Sequence, residues 1–322
     1  MEEKERLKRL ILAAQGRLEC DLVLKNGFVL DVYTGDILLG DVGIIEGRIA
    51  GVGKNYRGKE ELDLSGMFLS PGFIDAHMHV ESTMLIPSRL SKYLLLHGTT
   101  TLITDPHEIA NVLGLEGIMA MIEDGAKGSI DYFFTAPSCV PPTQNETSGA
   151  IIGIEELKIL SKHEKVVGLS EVMDFLSVLR GDEEVLEKLL LFGSRHGHAP
   201  LLRGPELMGY VAAGIDSDHE TVSYKEGLHK LRAGVFLMIR NGSSAKNLEE
   251  LLPLVDKNSL FRCCLVTDDL CPKDILDFGH LDGLLKRSME LGLDPISAYR
   301  LVTICPASYL GFRDRGAVSP GK

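Results

Sequence analysis

The sequence predicts an α/β chain, a (β/α)8 barrel of TIM type joined to a small N-terminal β-sandwich domain. Three observations carry this expectation. The 322 residues exceed the roughly 250 that such a barrel needs, leaving room for a small companion domain. From Phe68 onward, eight short apolar runs alternate with helical stretches, the rhythm of a parallel sheet with crossover helices. Before that point the chain reads instead as short alternating runs punctuated by glycine. A doubly wound open sheet is the architectural alternative, but the G-x-G-x-x-G phosphate loop that would support it is absent.

Taken in order, residues 1–16 carry Leu7, Leu10, Ile11 and Ala14 at helical spacing and predict one amphipathic helix. From Cys20, the segments DLVLKNGFVLDV, DVGIIEGRIAGVG and ELDLSGMFLS read as strands, with Asn26-Gly27 and Glu46-Gly47 as hairpin turns. This β domain is expected to span residues 1–67. Barrel strands are expected at 68–75, 99–104, 132–137, 166–172, near His198, and at 214–218, 235–240 and 265–267. Helices are expected between them, for example at 108–124, 183–194 and 245–254. The barrel would then span 68–312, with 313–322 returning toward the β domain and ending before that domain is complete.

Composition narrows the function classes. Hydrophobic residues make up 44% and charged residues 25%, which excludes global disorder. The longest apolar runs, such as 235–239, fall far short of the roughly 18 residues of a membrane span. The N-terminus, MEEKERLKRL, is charged where a signal peptide is apolar, so a cytoplasmic protein is expected. The net charge is −12 and no basic cluster is present, which argues against a nucleic-acid partner. The six cysteines show no CxxC spacing and read as buried reduced thiols, not as a zinc motif.

The chemistry gathers at the predicted strand ends. In PGFIDAHMHVES, His77 and His79 are two apart, so a strand aims both imidazoles to one side. Glu171 ends the fourth predicted strand, His198 the fifth and His219 the sixth, and Asp268 follows the eighth. In a barrel these positions meet at the C-terminal mouth. Mixed imidazole and carboxylate donors suit Zn, Fe or Mn over Ca or Mg, and a bridging Glu171 would allow a two-metal site. A bound metal lowers the pKa of water from about 15.7 to about 7, and Asp268 would take that proton and pass it to a leaving group. The HxE…PCxxC signature of the zinc deaminases is absent.

These residues, in this order, resemble the adenine deaminase family of the amidohydrolase superfamily. The resemblance runs over nearly the whole chain and rests on NGFVLDVYTGDI, PGFIDAHMHVEST, TTTLITDPHEIANVLG, APSCVPPT, GLSEVMDF, GHAPLLRGPELMGYVAAGIDSDHE, KLRAGVFLMIRNGS and VTDDLCPKDILDFGHLDG. It implies a barrel with two divalent ions, Mn or Fe, with Zn also compatible, and hydrolysis of adenine to hypoxanthine and ammonia. His77, His79, Glu171, His198, His219 and Asp268 are the implied metal shell. Asp268, with Glu171 and His219, carries the implied catalytic roles. Glu81, Ser82, His107, Glu108, Arg240 and Ser243 are expected near the substrate, with Asp269 behind Asp268. A homo-oligomer, or pairing with a separate chain that supplies the C-terminal region, is also expected.

Two features depart from the family pattern. Its REGS motif reads Arg240-Asn241-Gly242-Ser243 here, an amide replacing an acid. Family members also continue beyond the position of Lys322. The alternatives are therefore an amidohydrolase acting on another small cyclic amide or amine, or a non-catalytic member that needs a C-terminal partner.

Overall fold

The computed structural model describes residues 3–143 and 145–322. The chain divides into two compact units, Met1–Gly72 with Gly311–Lys322, and Phe73–Leu310.

The first unit opens with a helix, Glu3–Ala14; residues 1 and 2 of the expected helix lie outside the described residues. Its contact face is Leu10 and Ala13, packed with Cys20, Val23, Ile45 and Ala50. Leu7 and Ile11, expected on that face, are exposed. The five strands are β1 (Cys20–Leu30), β2 (Ile37–Ile45), β3 (Arg48–Gly53), β4 (Gly58–Asp63) and β5 (Phe68–Leu69). They form a single sheet in the order β3-β2-β1-β4, with β5 also on β1; among the described residues no second sheet faces it. Glu46 and Gly47 join β2 to β3 with φ of 51° and 76°, the two positive angles that a tight hairpin turn requires. The expected turn at Asn26-Gly27 is not a turn. β1 runs through it, and the register to β2 shifts between Leu24 and Gly27. Asn26, at φ 57°, marks a bulge, and its N–H is taken by Asp41 Oδ1 across the sheet (3.1 Å).

The second unit holds the parallel strands. They are β6 (Phe73–His79), β7 (Thr99–Thr104), β8 (Asp131–Ala136), β9 (Val166–Val172), β10 (Arg195–Gly197), β11 (Ser217–Asp218), β12 (Phe236–Arg240), β13 (Cys263–Val266) and β14 (Asp268–Asp269). A curled sheet runs β10-β9-β8-β7-β6-β14, and β11-β12-β13 form a second. Asp216 N–H donates to Arg195 O (3.2 Å) between the β10 and β11 segments, and Thr267 Oγ1 donates to Asp75 Oδ2 (2.6 Å) between the β13 and β6 segments. The expected strand at 68–75 is two strands. Pro71 has no N–H to give a ladder, so β5 stays with the first unit's sheet and β6 starts afresh at Phe73. The expected helix at 245–254 shrinks to Leu248–Leu251 followed by the 3-10 turn Leu252–Leu254, where Pro253 removes a donor.

Outside β7 and β8, the helices Pro87–Leu96 and His107–Gly125 bury Leu94, Ile118 and Met121 in one core with Leu102 and Phe134. Apolar helix faces cover the strands and leave the strand ends to the polar residues. All six cysteines are free, five buried and Cys271 half-buried. Among the described residues no helix is long and apolar enough to cross a membrane.

Candidate metal centre

β6 alternates its side chains, and its last turn of pleat delivers His77 and His79 to one side. Glu171 lies near the end of β9, His198 directly after β10, and His219 directly after β11. Asp268 opens β14, which pairs in parallel with β6 through Asp268 and Met78. These six side chains come together. Asp268 Oδ1 lies 3.2 Å from Nε2 of both His77 and His79. Glu171 Oε1 lies 3.5 Å from His79 Nε2, and its Oε2 lies 2.5 Å from His198 Nδ1 and 3.2 Å from His219 Nε2. Glu171 thus stands between the two sets of imidazoles. The rings are crowded: His77 and His219 stack with centroids 4.0 Å apart.

Three groups of these six residues and their neighbours bring ligand atoms within 4.8 Å of one another: His77 with His79 and Asp268, His77 with Glu171 and His219, and His198 with His219 and Glu220. A fourth joins His79, Asp105, His107 and Glu171. His107 was expected beside the substrate; here its Nδ1 is 3.3 Å from Glu171 Oε1 and 3.0 Å from Asp105. Asp105 and Glu220 were not singled out from the sequence, although each lies within a quoted motif, DPHE and SDHE.

The remaining expected residues ring the cluster with varied partners. Arg240 ends β12 and pairs with both Asp268 and Glu220. Glu81 accepts Ile109 N–H through Oε1 (3.2 Å), while Glu81 Oε2 and Glu108 Oε2 are buried without a hydrogen bond. Ser82 donates to Asp269 (2.5 Å). Ser243 is engaged elsewhere, donating to Asp274 (2.6 Å) and accepting Cys271 N–H (2.8 Å).

The electrostatics suit a cation. Burial works against ionising Asp268, yet His77 and His79 hold its carboxyl far below the usual range. Burial also opposes ionisation of Glu171, and His219 with His107 and His198 overcomes it. Burial disfavours the charged form of His79 as well, but Asp268 and Glu171 lift it to about 10 in the metal-free chain. Burial, then the charge of Glu108, pushes the Glu81 carboxyl up to about 7. The donor set also leaves room for a metal in its hydrogen bonding. His79 Nδ1 is turned to the carbonyl oxygen of Asp105 (3.0 Å), which fixes the tautomer and frees Nε2 as a ligand. His77 Nε2 is buried with Asp268 Oδ1 3.2 Å away but without a well-aligned hydrogen bond, and a metal ion held by both would satisfy it. Four imidazoles and two ionised carboxylates gathered at these distances fit a divalent ion.

The amidohydrolase family profile matches residues 68–322. The adenine deaminase of Desulfatibacillum aliphaticivorans is 43% identical over 317 residues, which cover 97% of this chain and 56% of that protein. The adenine deaminase of Archaeoglobus fulgidus is 44% identical over 319 residues, covering 99% of this chain and 56% of the relative. The chain thus spans just over half the length of the curated relatives it matches. Among solved structures, an adenine deaminase superposes with a TM-score of 0.68 at 17% identity, covering 94% of this chain and 88% of that one. A beta-aspartyl dipeptidase from Fervidobacterium islandicum gives 0.65 at 17% identity, covering 94% and 90%; at such identities both speak for the fold alone. By the extent of the profile match, over residues 68–322, the chain belongs to the amidohydrolase family.

Proposed function

We propose that this chain is a metal-dependent aminohydrolase that converts adenine and water to hypoxanthine and ammonia. The observation that carries the reading is the convergence of His77, His79, Glu171, His198, His219 and Asp268 on one buried centre. The identity to proteins named adenine deaminase supports adenine as the substrate. We read β6 to β13 as a closed (β/α)8 barrel, supported by the hydrogen bonds that link the two sheets. The domain reading is 1–67 and 313–322 for the β domain and 68–312 for the barrel, supported by the division of the chain into two units.

His77, His79 and Asp268 would hold one divalent ion, and His198 and His219 a second, with Glu171 between them. Mn or Fe is proposed, with Zn the other ion this donor set suits. A bound ion would supply water acidified to a pKa of about 7. Asp268 then does the proton work. Its carboxylate stays ionised at neutral pH, takes the proton of the attacking water and hands it to the amino nitrogen. The bond from that nitrogen to the ring carbon breaks as the new carbon–oxygen bond is kept, and ammonia leaves with its proton balance closed. Arg240, paired with Asp268, holds the carboxylate in place for both transfers. Glu81, Ser82, His107, Glu108 and Ser243 are proposed to line the substrate side.

The test is anaerobic reconstitution with Mn(II) or Fe(II), reading loss of adenine absorbance together with ammonia release. Metal-dependent turnover is expected. His79→Ala should lose bound metal and turnover together, with melting shifted only a few degrees. Unchanged metal content in that variant would overturn the site assignment, and a fully loaded chain without turnover would overturn adenine as substrate.

A further inference from the structure

Behind the histidine-bearing loops lies a charged side chain that the proposed reaction does not use. Lys230, on the helix Tyr224–Arg232, is completely buried. Its ammonium donates to Asp218 Oδ2 (2.9 Å), to Glu226 Oε1 (2.7 Å) and to Ala199 O (2.7 Å), which exhausts its donors. Both carboxylates are spoken for in turn. Asp218 accepts Ala199 N–H (2.8 Å) and the Thr221 hydroxyl (2.7 Å). Glu226 accepts the N–H groups of Leu201 (2.8 Å) and Val222 (3.2 Å).

Apart from the Lys230–Glu226 pair, these contacts land on two short segments, 199–201 beside His198 and 218–222 around His219. The first segment is strained. Leu201 sits at φ 62°, a left-handed conformation that a leucine keeps only when its surroundings hold it there, and its N–H is one that Glu226 captures. Stability alone gives little reason for this arrangement. One buried cation with two buried anions costs heavy desolvation, and apolar side chains of similar volume often serve stability as well or better. A fixed geometry for the two loops is what the ions supply and apolar packing does not.

We infer that Lys230 is a positioning residue for His198 and His219, locking the loops after β10 and β11 through Asp218 and Glu226. This rests on the metal-site reading given under the proposed function. Residues that orient metal ligands from behind typically change metal affinity 10- to 100-fold when removed, and an effect on the order of tenfold or more is expected here.

The experiment compares the unaltered chain with Lys230→Met, which removes the ammonium at similar length, and with Glu226→Gln, which keeps the shape and removes one charge. Each is titrated anaerobically with Co(II) alone, reading stoichiometry, affinity and visible absorption, and amide hydrogen exchange is followed across 198–203 and 218–223. Lys230→Met should bind Co(II) about tenfold or more weakly, with altered absorption bands and faster exchange confined to those two segments. Glu226→Gln should show the same changes to a smaller degree. If the unaltered chain binds no Co(II), the metal-site reading falls. If it binds Co(II) and Lys230→Met matches it in affinity, spectrum and exchange, the positioning role alone is overturned. A loss of protection spread evenly over the unit overturns it too, and if Lys230→Met does not fold, Glu226→Gln decides by the same readouts.

Discussion

Asp268 combines two properties that rarely coincide in one residue. Its backbone is left-handed, φ 59°, and its carboxylate meets His77, His79 and Arg240. Aspartate and asparagine tolerate that backbone region better than other non-glycine residues, so Asp268→Asn should keep the local fold. What it removes is the proton carrier. Turnover is expected to fall by about 10²- to 10⁴-fold while most of the metal is retained, which paired kcat and metal analyses would check. Equal loss of both would mean that Asp268 serves only to hold metal and not also as a proton shuttle. Asp268→Glu should do worse than its chemistry suggests, because glutamate is less at ease in a left-handed backbone.

At the scale of elements, the loop after β12 is held by a contact that has no room for a side chain. A Cβ on Gly242 would lie 2.4 Å from Asp269 O and 2.5 Å from Thr267 O, both of them backbone atoms flanking Asp268. Gly242→Ala should therefore cost about 1–3 kcal/mol and displace the segment that carries Asp268. Thermal unfolding and kcat measured on the same sample would show both effects, and unchanged melting would contradict the close approach. Much of the site was legible in the sequence at this scale. His77 and His79 declare themselves through strand alternation, and Glu171, His198, His219 and Asp268 through their places at strand ends. Asp105 and Glu220 were passed over although they sit two residues from His107 and next to His219, because sequence alone does not say whether such acids face the cluster or solvent. Lys230 went unmarked for another reason, since a lysine among charged neighbours carries no sequence sign of burial. The missed elements have local causes. Asn26-Gly27 supplies positive φ, which serves a bulge as well as a hairpin, and Pro71 cuts an apolar run that periodicity alone would join.

For the molecule as a whole, bound metal is a source of stability that the chain lacks without it. A ligand present at a hundred times its dissociation constant stabilises the native state by about 2.7 kcal/mol, and each kcal/mol shifts melting by roughly 2–4 °C in a domain of this size. Calorimetry with and without Mn(II), after stripping by a chelator, should show a rise of several degrees that His79→Ala no longer shows. A second expectation concerns the first unit, whose Ile37, Leu38, Leu39, Met67 and Phe68 are all exposed. An exposed apolar row on a sheet favours self-association, so Leu39→Lys should lower the apparent mass in sedimentation without changing metal content. The pairing of β14 with β6 has a consequence for biosynthesis. His77 and Asp268 meet in that pairing, yet they lie about 190 residues apart in the chain, a gap the ribosome takes on the order of ten seconds or more to cross. Through that interval the nascent chain exposes histidines without the acid that completes their site. A complete donor set for a metal therefore exists only after Asp268 has been made and β14 has paired with β6.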